Sequence, residues 1–239
     1  MEGAWSLRDV SFSIAPGEVW GVIGTSGAGK STLLNLVLGL REPTEGRLLL
    51  EGEPWSPLPE RERRSRRPRI QAVFQDALAS LPPHRTGWAI LQEPLDVWRR
   101  GDAHSRREAA ARMAARVKFP EAALSQRPEA WSSGLAQRLA LGRALMLEPA
   151  LLVLDEPFSA LDATLGDHLR ALLVTLKAEG TALLLASHDL PSAAILCDQL
   201  LLLRDGQALC QGHAGQLLSN PPHPHLRALL DAVPQLTEA

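Results

Sequence analysis

The sequence predicts an α/β domain built on a mainly parallel β-sheet with an inserted helical part. Short apolar runs that suit buried strands, such as residues 19–23 and 151–155, are each followed by a segment with helical spacing. The alternation occurs on both sides of an Ala- and Arg-rich stretch at residues 77–127, which we interpret as the insertion. Because ligands bind at the carboxyl ends of the strands in such a sheet, we expect the site residues there.

The first part of the chain predicts two strands, a loop, a helix and a third strand. An alternating pattern at residues 5–14 favours a strand, and a Pro-Gly-Glu turn separates it from the strand at residues 19–23. A glycine-rich loop follows, and a helix is expected to begin near Lys30 and to stop at Gly39. A further turn leads to a short strand at residues 47–50. The glycine-rich loop therefore lies between a buried strand and a helix.

The rest of the chain continues the alternation. The helical pattern of the insertion is clearest at residues 104–117. The strand that precedes the insertion ends in the polar pair Gln75 and Asp76. The other predicted elements are strands at residues 70–74, 151–155 and 181–186 and helices at residues 134–147 and 163–179.

The composition indicates one soluble domain in a reducing compartment. The chain has 239 residues, of which 45% are hydrophobic and 22% charged, and 25 basic and 27 acidic residues give a net charge of -2. Two cysteines cannot form a disulfide framework, and no Cys or His spacing resembles a zinc or iron–sulfur site. We find no secretory signal and no apolar run long enough to span a membrane, so work at a membrane would require a spanning partner.

A run of arginines at residues 61–69 raises the alternative of a nucleic-acid partner. Glu60 and Glu62 interrupt the positive charge, and no neighbouring aromatic residues supply stacking. The chain as a whole carries no basic excess. We therefore expect a solvated loop or helix face here and no nucleic-acid partner.

A phosphate-binding loop is predicted at residues 24–31. Four residues separate two glycines, and Lys-Ser follows the second glycine. The backbone N–H groups of such a loop and the N-terminus of the next helix converge on phosphate oxygens. Lys30 is expected to reach the β- and γ-phosphates of a nucleotide, and the Ser31 hydroxyl to bind Mg²⁺. The assigned nucleotide-binding residues are Gly24, Thr25, Ser26, Gly27, Ala28, Gly29, Lys30, Ser31 and Thr32.

Two carboxylates and a histidine follow other predicted strands. Asp155 and Glu156 close the apolar run that begins at Leu151, where a metal ion and a water molecule could meet them. We assign Asp155 to Mg²⁺ and Glu156 to the attacking water. His188 follows the strand at residues 181–186 and is a candidate contact of the γ-phosphate. Taken alone, the acidic pair could be a solvated turn and the histidine a surface residue.

The ordered set of motifs resembles the ATP-binding subunit of ABC transporters over essentially the whole chain. Residues 24–31 match the Walker A motif, residues 151–157 the Walker B motif with its glutamate, and His188-Asp189 the H-loop. Residues 74–76 resemble the Q-loop and residues 159–162 the D-loop. The resemblance implies that four further residues contact the nucleotide, namely Gln75, Ser132, Gly134 and Asp162. It also implies that Gln75 is a ligand of Mg²⁺ and that Glu156 and His188 are catalytic.

The resemblance also implies a fold, partners and a location. We expect a P-loop NTPase core with a mainly parallel sheet, a small antiparallel β part and an inserted helical subdomain. A single domain over residues 1–239 would divide into a core lobe (1–75 and 149–239) and a helical lobe (76–148). The cofactors would be ATP and Mg²⁺. A second ATPase subunit would pair head to tail, and membrane-spanning permeases would be contacted at the cytoplasmic face of the membrane, with an extracytoplasmic solute-binding protein as an indirect partner.

Finer resemblance points to one branch of that family. Residues 74–83, 90–95 and 219–234 are similar to the ATPases of oligopeptide, dipeptide and nickel importers. The chain is therefore expected to be an ATP-hydrolysing importer motor. An exporter ATPase, a nucleotide-binding regulatory subunit and an ABC-type ATPase of DNA repair or translation are the alternatives.

Two departures from the family pattern concern the partner and the base. Where Leu-Ser-Gly-Gly-Gln is usual in the signature motif, residues 131–135 read Trp-Ser-Ser-Gly-Leu. Ser133 adds a Cβ where a glycine backbone must approach a phosphate, so a heterodimer with an intact partner is expected and a homodimer stays open. The usual aromatic residue that stacks on adenine is missing upstream of Trp5, and Trp5 is either its substitute or a core residue.

Overall fold

The computed structural model describes residues 6–159 and 161–232. Within them, the β-strands are β1 (Val19–Ile23), β2 (Leu48–Leu50), β3 (Glu53–Ser56), β4 (Ile70–Val73), β5 (Leu151–Asp155), β6 (Ala182–Ser187), β7 (Gln199–Arg204) and β8 (Gln207–His213). The α-helices there are α1 (Lys30–Val37), α2 (Glu60–Arg63), α3 (Ala77–Ser80), α4 (Gly87–Val97), α5 (Ala103–Arg116), α6 (Ser133–Leu145), α7 (Ala163–Ala178), α8 (Leu190–Leu196), α9 (Ala214–Ser219) and α10 (Pro224–Asp231). Short 3-10 turns cover Arg64–Arg69, Glu121–Ser125 and Pro128–Ala130.

The chain divides into two compact units, and the first contains the described residues of Met1–Pro59 and Leu176–Ala239. In this unit β1 lies between β6 and β7 and runs parallel to both, while β8 pairs antiparallel with β7. All five residues of β1 and all six of β6 are buried. The strands β2 and β3 form a separate antiparallel pair. A parallel arrangement with strands buried on both faces is the one predicted from the apolar runs.

The second unit is Glu60–Thr175 and contains a parallel strand pair and most of the helices. β4 and β5 align from Ile70 opposite Leu151 to Val73 opposite Leu154. α4 packs against α5 and α6. A Cβ added to Gly142 in α6 would lie 3.2 Å from a methyl group of Leu91 in α4, which shows how closely these helices approach.

Local sequence signals explain where the helices begin. Asp102 and Ser105 form a reciprocal capping box at α5, with the Ser105 backbone N–H 2.8 Å from Asp102 Oδ1. Ser132 caps α6, because its hydroxyl accepts a hydrogen bond from the Leu135 backbone N–H at 3.3 Å. At the end of α1, Gly39 adopts φ +64°, the left-handed conformation that commonly terminates a helix.

The strand predicted at residues 5–14 is wrong over its described part. Trp5 lies outside the described residues, and residues 6–14 contribute only an isolated parallel bridge between Arg8 and Gln207. The alternating pattern has another cause, because Phe12 packs against Trp20 with ring centroids 4.9 Å apart. One-sided burial gives a period of two even where no ladder of hydrogen bonds forms.

The other predicted elements are confirmed, with ends that shift by one or two residues. β1 and β5 match their predicted bounds, and α1, α6 and α7 occur where helical spacing was found. The predicted α/β class with a mainly parallel sheet is confirmed by the pairing of β1 with β6 and β7 and of β4 with β5. Two strand sets were not assigned beforehand, namely β3 in the Pro- and Arg-rich segment and the β7–β8 hairpin.

Candidate functional site

The glycine-rich loop lies between the end of β1 and the start of α1. Gly24 is buried, and a Cβ at this position would lie 2.5 Å from the backbone oxygen of Leu203 and 2.8 Å from Ala28 Cβ. Gly27 and Gly29 have φ of +80° and +106°, a region that residues with side chains rarely adopt. The loop therefore has a shape that strongly favours glycine at these three positions.

Lys30 and the N-terminus of α1 face the same loop. Lys30 Nζ donates hydrogen bonds to the backbone oxygens of Gly24 at 2.7 Å and Thr25 at 3.4 Å, so the ammonium group folds back over the loop. α1 begins after Gly29, and among residues 6–159 and 161–232 no side chain caps it by a hydrogen bond. Ser31 is exposed in the first turn. A helix N-terminus with a lysine beside it is a favourable place for an anion such as a phosphate group.

His188 lies at a neighbouring strand end of the first unit. It is exposed and follows Ser187, the last residue of β6. The parallel register sets Ser187 opposite Ile23, the residue before Gly24. The structure thus brings His188 and the phosphate-binding loop to the same edge of the sheet, as the sequence analysis expected.

Gln75 and Asp155 occupy the corresponding positions in the second unit. Val73, the last residue of β4, lies opposite Leu154 in the parallel pair of β4 and β5. The segment with Gln75 therefore leaves β4 at the same end of the strand pair at which Asp155 ends β5. Gln75 is exposed and Asp155 is half-buried. Amide, carboxylate and hydroxyl oxygens are the hard ligands that Mg²⁺ prefers, and the predicted set of Ser31, Gln75 and Asp155 supplies one of each. The residues present therefore fit this ion chemically.

Glu156 follows β5 and has an unusual backbone. It is buried, with 8% of its surface exposed, and adopts φ +50°, the left-handed region that is uncommon for a residue with a side chain. Its carbonyl oxygen accepts hydrogen bonds from Ser159 Oγ at 2.9 Å and from the Ser159 backbone N–H at 3.2 Å. The carboxylate predicted to act on water is thus held at a tight, stabilised turn.

The signature-motif residues lie at the start of α6. Ser132 and Ser133 are exposed, whereas Gly134 is buried. A Cβ on Gly134 would lie 2.9 Å from a methyl group of Leu165 in α7, so this glycine allows close packing. Leu135 is half-buried. The departure at Ser133 therefore adds a hydroxymethyl group to the outer surface rather than to the core.

Asp162 is exposed and caps α7. Its Oδ1 accepts a hydrogen bond from the Leu165 backbone N–H at 2.9 Å. Partial burial lowers the pKa of Arg138 in α6, and the negative charge of Asp162 acts in the opposite direction. Ala160, which belongs to the predicted D-loop, lies outside the described residues. The cap gives Asp162 a local role beside the nucleotide contact that the resemblance implies.

One buried polar residue was missed by the sequence analysis. Gln137 in α6 is 8% exposed, and its Nε2 donates a hydrogen bond to the carbonyl oxygen of Pro157, the residue after Glu156. Its spacing was an available signal, because Gln137 stands three residues after Gly134 and four before Leu141, both of which are buried. A polar residue within an otherwise apolar helical stripe indicates a specific hydrogen-bond partner.

The surface after the first strand of the second unit carries exposed apolar side chains. Phe74 and Leu78 are each 41% exposed on either side of Gln75 and Asp76. Arg107 stacks on Trp88 with its guanidinium carbon 3.1 Å from the ring centroid. Over the described part of the chain, every helix falls short of the length and apolarity needed to cross a membrane.

Comparison with known proteins gives the same family over most of the chain. The ABC transporter family matches residues 7–159. A Brucella ovis protein described as a peptide import ATP-binding protein is 39% identical over 229 residues, 95% of this chain and 72% of that protein. A dipeptide transport ATP-binding protein of Haemophilus influenzae is 36% identical over 233 residues, 97% of this chain and 71% of that protein.

Solved structures agree with the sequence relatives. A dimeric ATP-binding cassette in a post-hydrolysis state with bound ADP and Pi superposes with a TM-score of 0.82 at 30% identity, covering 87% of this chain and 90% of that one. A cassette of an ABC transporter complex from Clostridium perfringens gives 0.80 at 26% identity, with 90% and 84% covered. The resemblance drawn from the motifs is thereby confirmed, together with ATPase activity and the P-loop NTPase fold. The chain belongs to the ABC transporter family, as one of its ATP-binding subunits.

Proposed function

We propose that this chain is the ATP-hydrolysing motor of a peptide or dipeptide importer. The observation that carries the proposal is the loop at residues 24–31, whose glycines keep the backbone open while Lys30 lies over it. The named relatives that transport peptides and dipeptides support the substrate class. Nickel, which the sequence resemblance also allows, is the alternative substrate.

The chemistry we propose is attack of water on the γ-phosphorus of ATP, which breaks the bond to the bridging oxygen and releases ADP and inorganic phosphate. The backbone N–H groups of the loop and Lys30 would bind the phosphates and stabilise the charge that develops on them. Glu156 would orient the water and accept its proton, and His188 would contact the γ-phosphate. Mg²⁺, when bound by Ser31, Gln75 and Asp155, would neutralise charge on the phosphate oxygens. Glu156 and His188 are the two residues we assign to catalysis.

A second ATPase subunit would complete the site. In the proposed head-to-tail pair, Ser132 and Gly134 of one chain, with Asp162, contact the nucleotide held by the other. Ser133 is exposed at the first position of α6, so its side chain would stand where an opposing phosphate approaches. We therefore favour a heterodimer in which the signature motif of this chain is the weaker of the two. A regulatory half is the second candidate, and the same exposed Ser133 favours it.

ATPase activity separates these candidates. We expect the purified chain to hydrolyse ATP slowly alone and at least tenfold faster when mixed with a cassette that has an intact signature motif. The double variant Ser133→Gly, Leu135→Gln should raise the activity of the chain alone. Loss of activity in the mixture on Glu156→Gln would establish that this chain is catalytic. An unchanged rate in the mixture with Glu156→Gln would instead favour the regulatory half.

The membrane partner would bind beside the Q-loop. Phe74 and Leu78 expose apolar surface on both sides of Gln75, which suits contact with a helix of a permease. In this arrangement the chain is peripheral at the cytoplasmic face, and residues 76–148 form the helical lobe beside a core lobe of residues 1–75 and 149–239. Substrate choice would lie in the permeases and in an extracytoplasmic binding protein.

The substrate class can be tested in a reconstituted importer. The chain is reconstituted into proteoliposomes together with its partner cassette, the permeases and the binding protein. ATP is supplied on the side of the membrane that the cassettes face. A mixture of di- to pentapeptides should stimulate hydrolysis several-fold, and a nickel chelate should not. Stimulation by the nickel chelate alone would overturn the peptide assignment while leaving the motor function intact.

A further inference from the structure

A buried hydrogen bond links the start of α6 to the turn that carries the candidate catalytic glutamate. Gln137 donates from Nε2 to the carbonyl oxygen of Pro157. Both residues belong to the second unit and both are buried. Gln137 is one helical turn from Ser133, the first residue of α6. The contact therefore joins the signature-motif end of α6 to the residue next to Glu156.

The turn that Gln137 holds needs support. Glu156 adopts φ +50°, a left-handed conformation that is unfavourable for a residue with a side chain. Ser159 stabilises one side of the turn through two hydrogen bonds to the Glu156 carbonyl oxygen. Gln137 stabilises the other side through Pro157. The two contacts hold the backbone on both sides of the bond that joins Glu156 to Pro157.

Packing alone does not account for the glutamine. The neighbouring buried positions of α6 are the apolar Ala136, Leu139 and Ala140. Gln137 Oε1 is buried, and among the described residues it has no hydrogen-bond partner. Burial of an unpaired amide oxygen is costly, so a methionine of similar volume would fill the space with less desolvation. What methionine cannot supply is the N–H donor that meets Pro157.

We propose that Gln137 is a positioning residue for the ATPase reaction, holding the Glu156 turn so that the carboxylate can align the attacking water. The inference rests on the catalytic role of Glu156 in the proposed function. Gln137 touches neither nucleotide nor water in this scheme and acts only through the turn. Its removal should therefore lower the rate of the chemical step and leave the binding of ATP unchanged.

Gln137→Met is the first test variant, and Gln92→Met is its matched control. Gln92 in α4 also donates from Nε2 to a backbone carbonyl, but that carbonyl belongs to Trp88 in the same helix, at 3.0 Å. Both variants are measured in the full chain, either alone or mixed with the partner cassette, whichever of the two preparations hydrolyses ATP. Gln137→Met should lower kcat about tenfold to a hundredfold with KM for ATP within about twofold. Gln92→Met should leave both within about twofold.

Gln137→Glu distinguishes a lost donor from lost packing. A protonated glutamic acid can donate to the Pro157 carbonyl oxygen, whereas its carboxylate cannot. The kcat of Gln137→Glu, relative to the original chain, should fall as pH rises, while the same ratio for Gln137→Met stays flat. Because glutamate matches glutamine in size, this variant also serves if Gln137→Met does not fold.

Hydrogen exchange gives a readout that does not depend on activity. The Ser159 amide, which bonds to the Glu156 carbonyl, should exchange faster in Gln137→Met and at the original rate in Gln92→Met. Unchanged kcat and unchanged exchange in Gln137→Met would overturn the inference. If Glu156→Gln keeps full turnover, the catalytic role of Glu156 fails and this inference fails with it. If Glu156→Gln is inactive but Gln137→Met is not, only this inference fails.

Discussion

Ile23 lies opposite Ser187 in the parallel register of β1 and β6. The next residue on one strand is Gly24, which opens the phosphate-binding loop, and the next on the other is His188. Two residues more than 160 positions apart in the sequence therefore leave the same edge of the sheet together. This relationship makes the histidine a specific candidate among the seven histidines of the chain.

His188→Ala should lower kcat for ATP hydrolysis by about a hundredfold or more, because one stabilising contact to the transferring phosphate is lost. His104→Ala is the control, since His104 is an exposed histidine whose side chain pairs with Glu108 in its own helix at 3.2 Å. It should change kcat by less than twofold. Steady-state ATPase assays on the active form of the subunit measure both. Equal losses in the two variants would remove His188 from the site.

Gly24→Ala should destabilise the fold and weaken nucleotide binding. The new Cβ would meet the Leu203 backbone oxygen at 2.5 Å, and a backbone atom cannot move aside cheaply. We expect a loss of about 1–3 kcal/mol in the free energy of unfolding. Gly166→Ala is the control, because its Cβ would meet only the Arg170 guanidinium at 3.8 Å within α7. Denaturant titration should show that variant to be about 0.5–1 kcal/mol more stable.

Glu156→Gln should abolish most turnover and preserve ATP affinity. The amide keeps the size and the backbone turn but cannot accept a proton from water. Glu148→Gln is a control with a similar backbone, since Glu148 has φ +51° but is exposed. Equilibrium binding of a fluorescent ATP analogue and single-turnover hydrolysis separate the two effects. A loss of binding in Glu156→Gln would point to a structural defect instead of a catalytic one.

Cys197 should resist alkylation in the native protein. The pKa of its thiol is raised from 9.0 to about 12, first by burial and then by the negative charge of the adjacent Asp198, while Lys177 opposes the shift. The thiol is therefore protonated at neutral pH and inert to iodoacetamide. The same shift stabilises the fold fully below pH 9 and loses that contribution between pH 9 and about pH 12. Peptide mass spectrometry should find half-buried Cys210 labelled first; equal labelling rates would contradict the prediction.

Asp198→Ala should cost about 2 kcal/mol of stability. Its carboxylate accepts from the Val19 backbone N–H at 2.9 Å and from Lys177 Nζ at 2.5 Å, so its loss leaves a buried strand donor unpaired. Asp167→Ala is the control, because Asp167 pairs with Arg170 at the surface and is 70% exposed. That variant should lie within about 0.5 kcal/mol of the original chain. Thermal and urea unfolding measure the stability of both variants. Similar losses of stability in the two variants would show that Asp198 does not hold β1 in place.

The alternation of apolar strands and helices was sufficient to predict the class of fold. β1 and β5 are continuous apolar runs, and their burial is the direct consequence of that composition. The failure at residues 5–14 has the same physical origin. Phe12 alternates with polar neighbours because it packs on Trp20, but the described part of this segment pairs with β8 only at the single bridge from Arg8 to Gln207, and no ladder forms. An alternating pattern of apolar and polar residues indicates that one side of a segment is buried. It does not indicate whether another strand forms hydrogen bonds with that segment.

Local motifs predicted most candidate site residues, because their chemistry is carried by neighbours in the chain. The phosphate-binding loop needs only its glycines, Lys30 and the helix that follows. The sequence did not predict the role of Gln137, because its hydrogen-bond partner Pro157 is 20 residues away and comes into contact with it only in the folded chain. The ion pair of Lys177 with Asp198 is likewise distant in sequence.

The sequence by itself determined the α/β class, the glycine-rich loop and the choice of the strand-end residues as candidates for the chemistry. Spacing along the chain is enough for these, because they depend on contacts between near neighbours. Only the tertiary structure decided that Ser187 registers with Ile23, that Glu156 turns through a left-handed conformation and that Gln137 supports that turn. Strand register and buried hydrogen bonds join residues far apart in sequence, and they are set by the packing of the whole core.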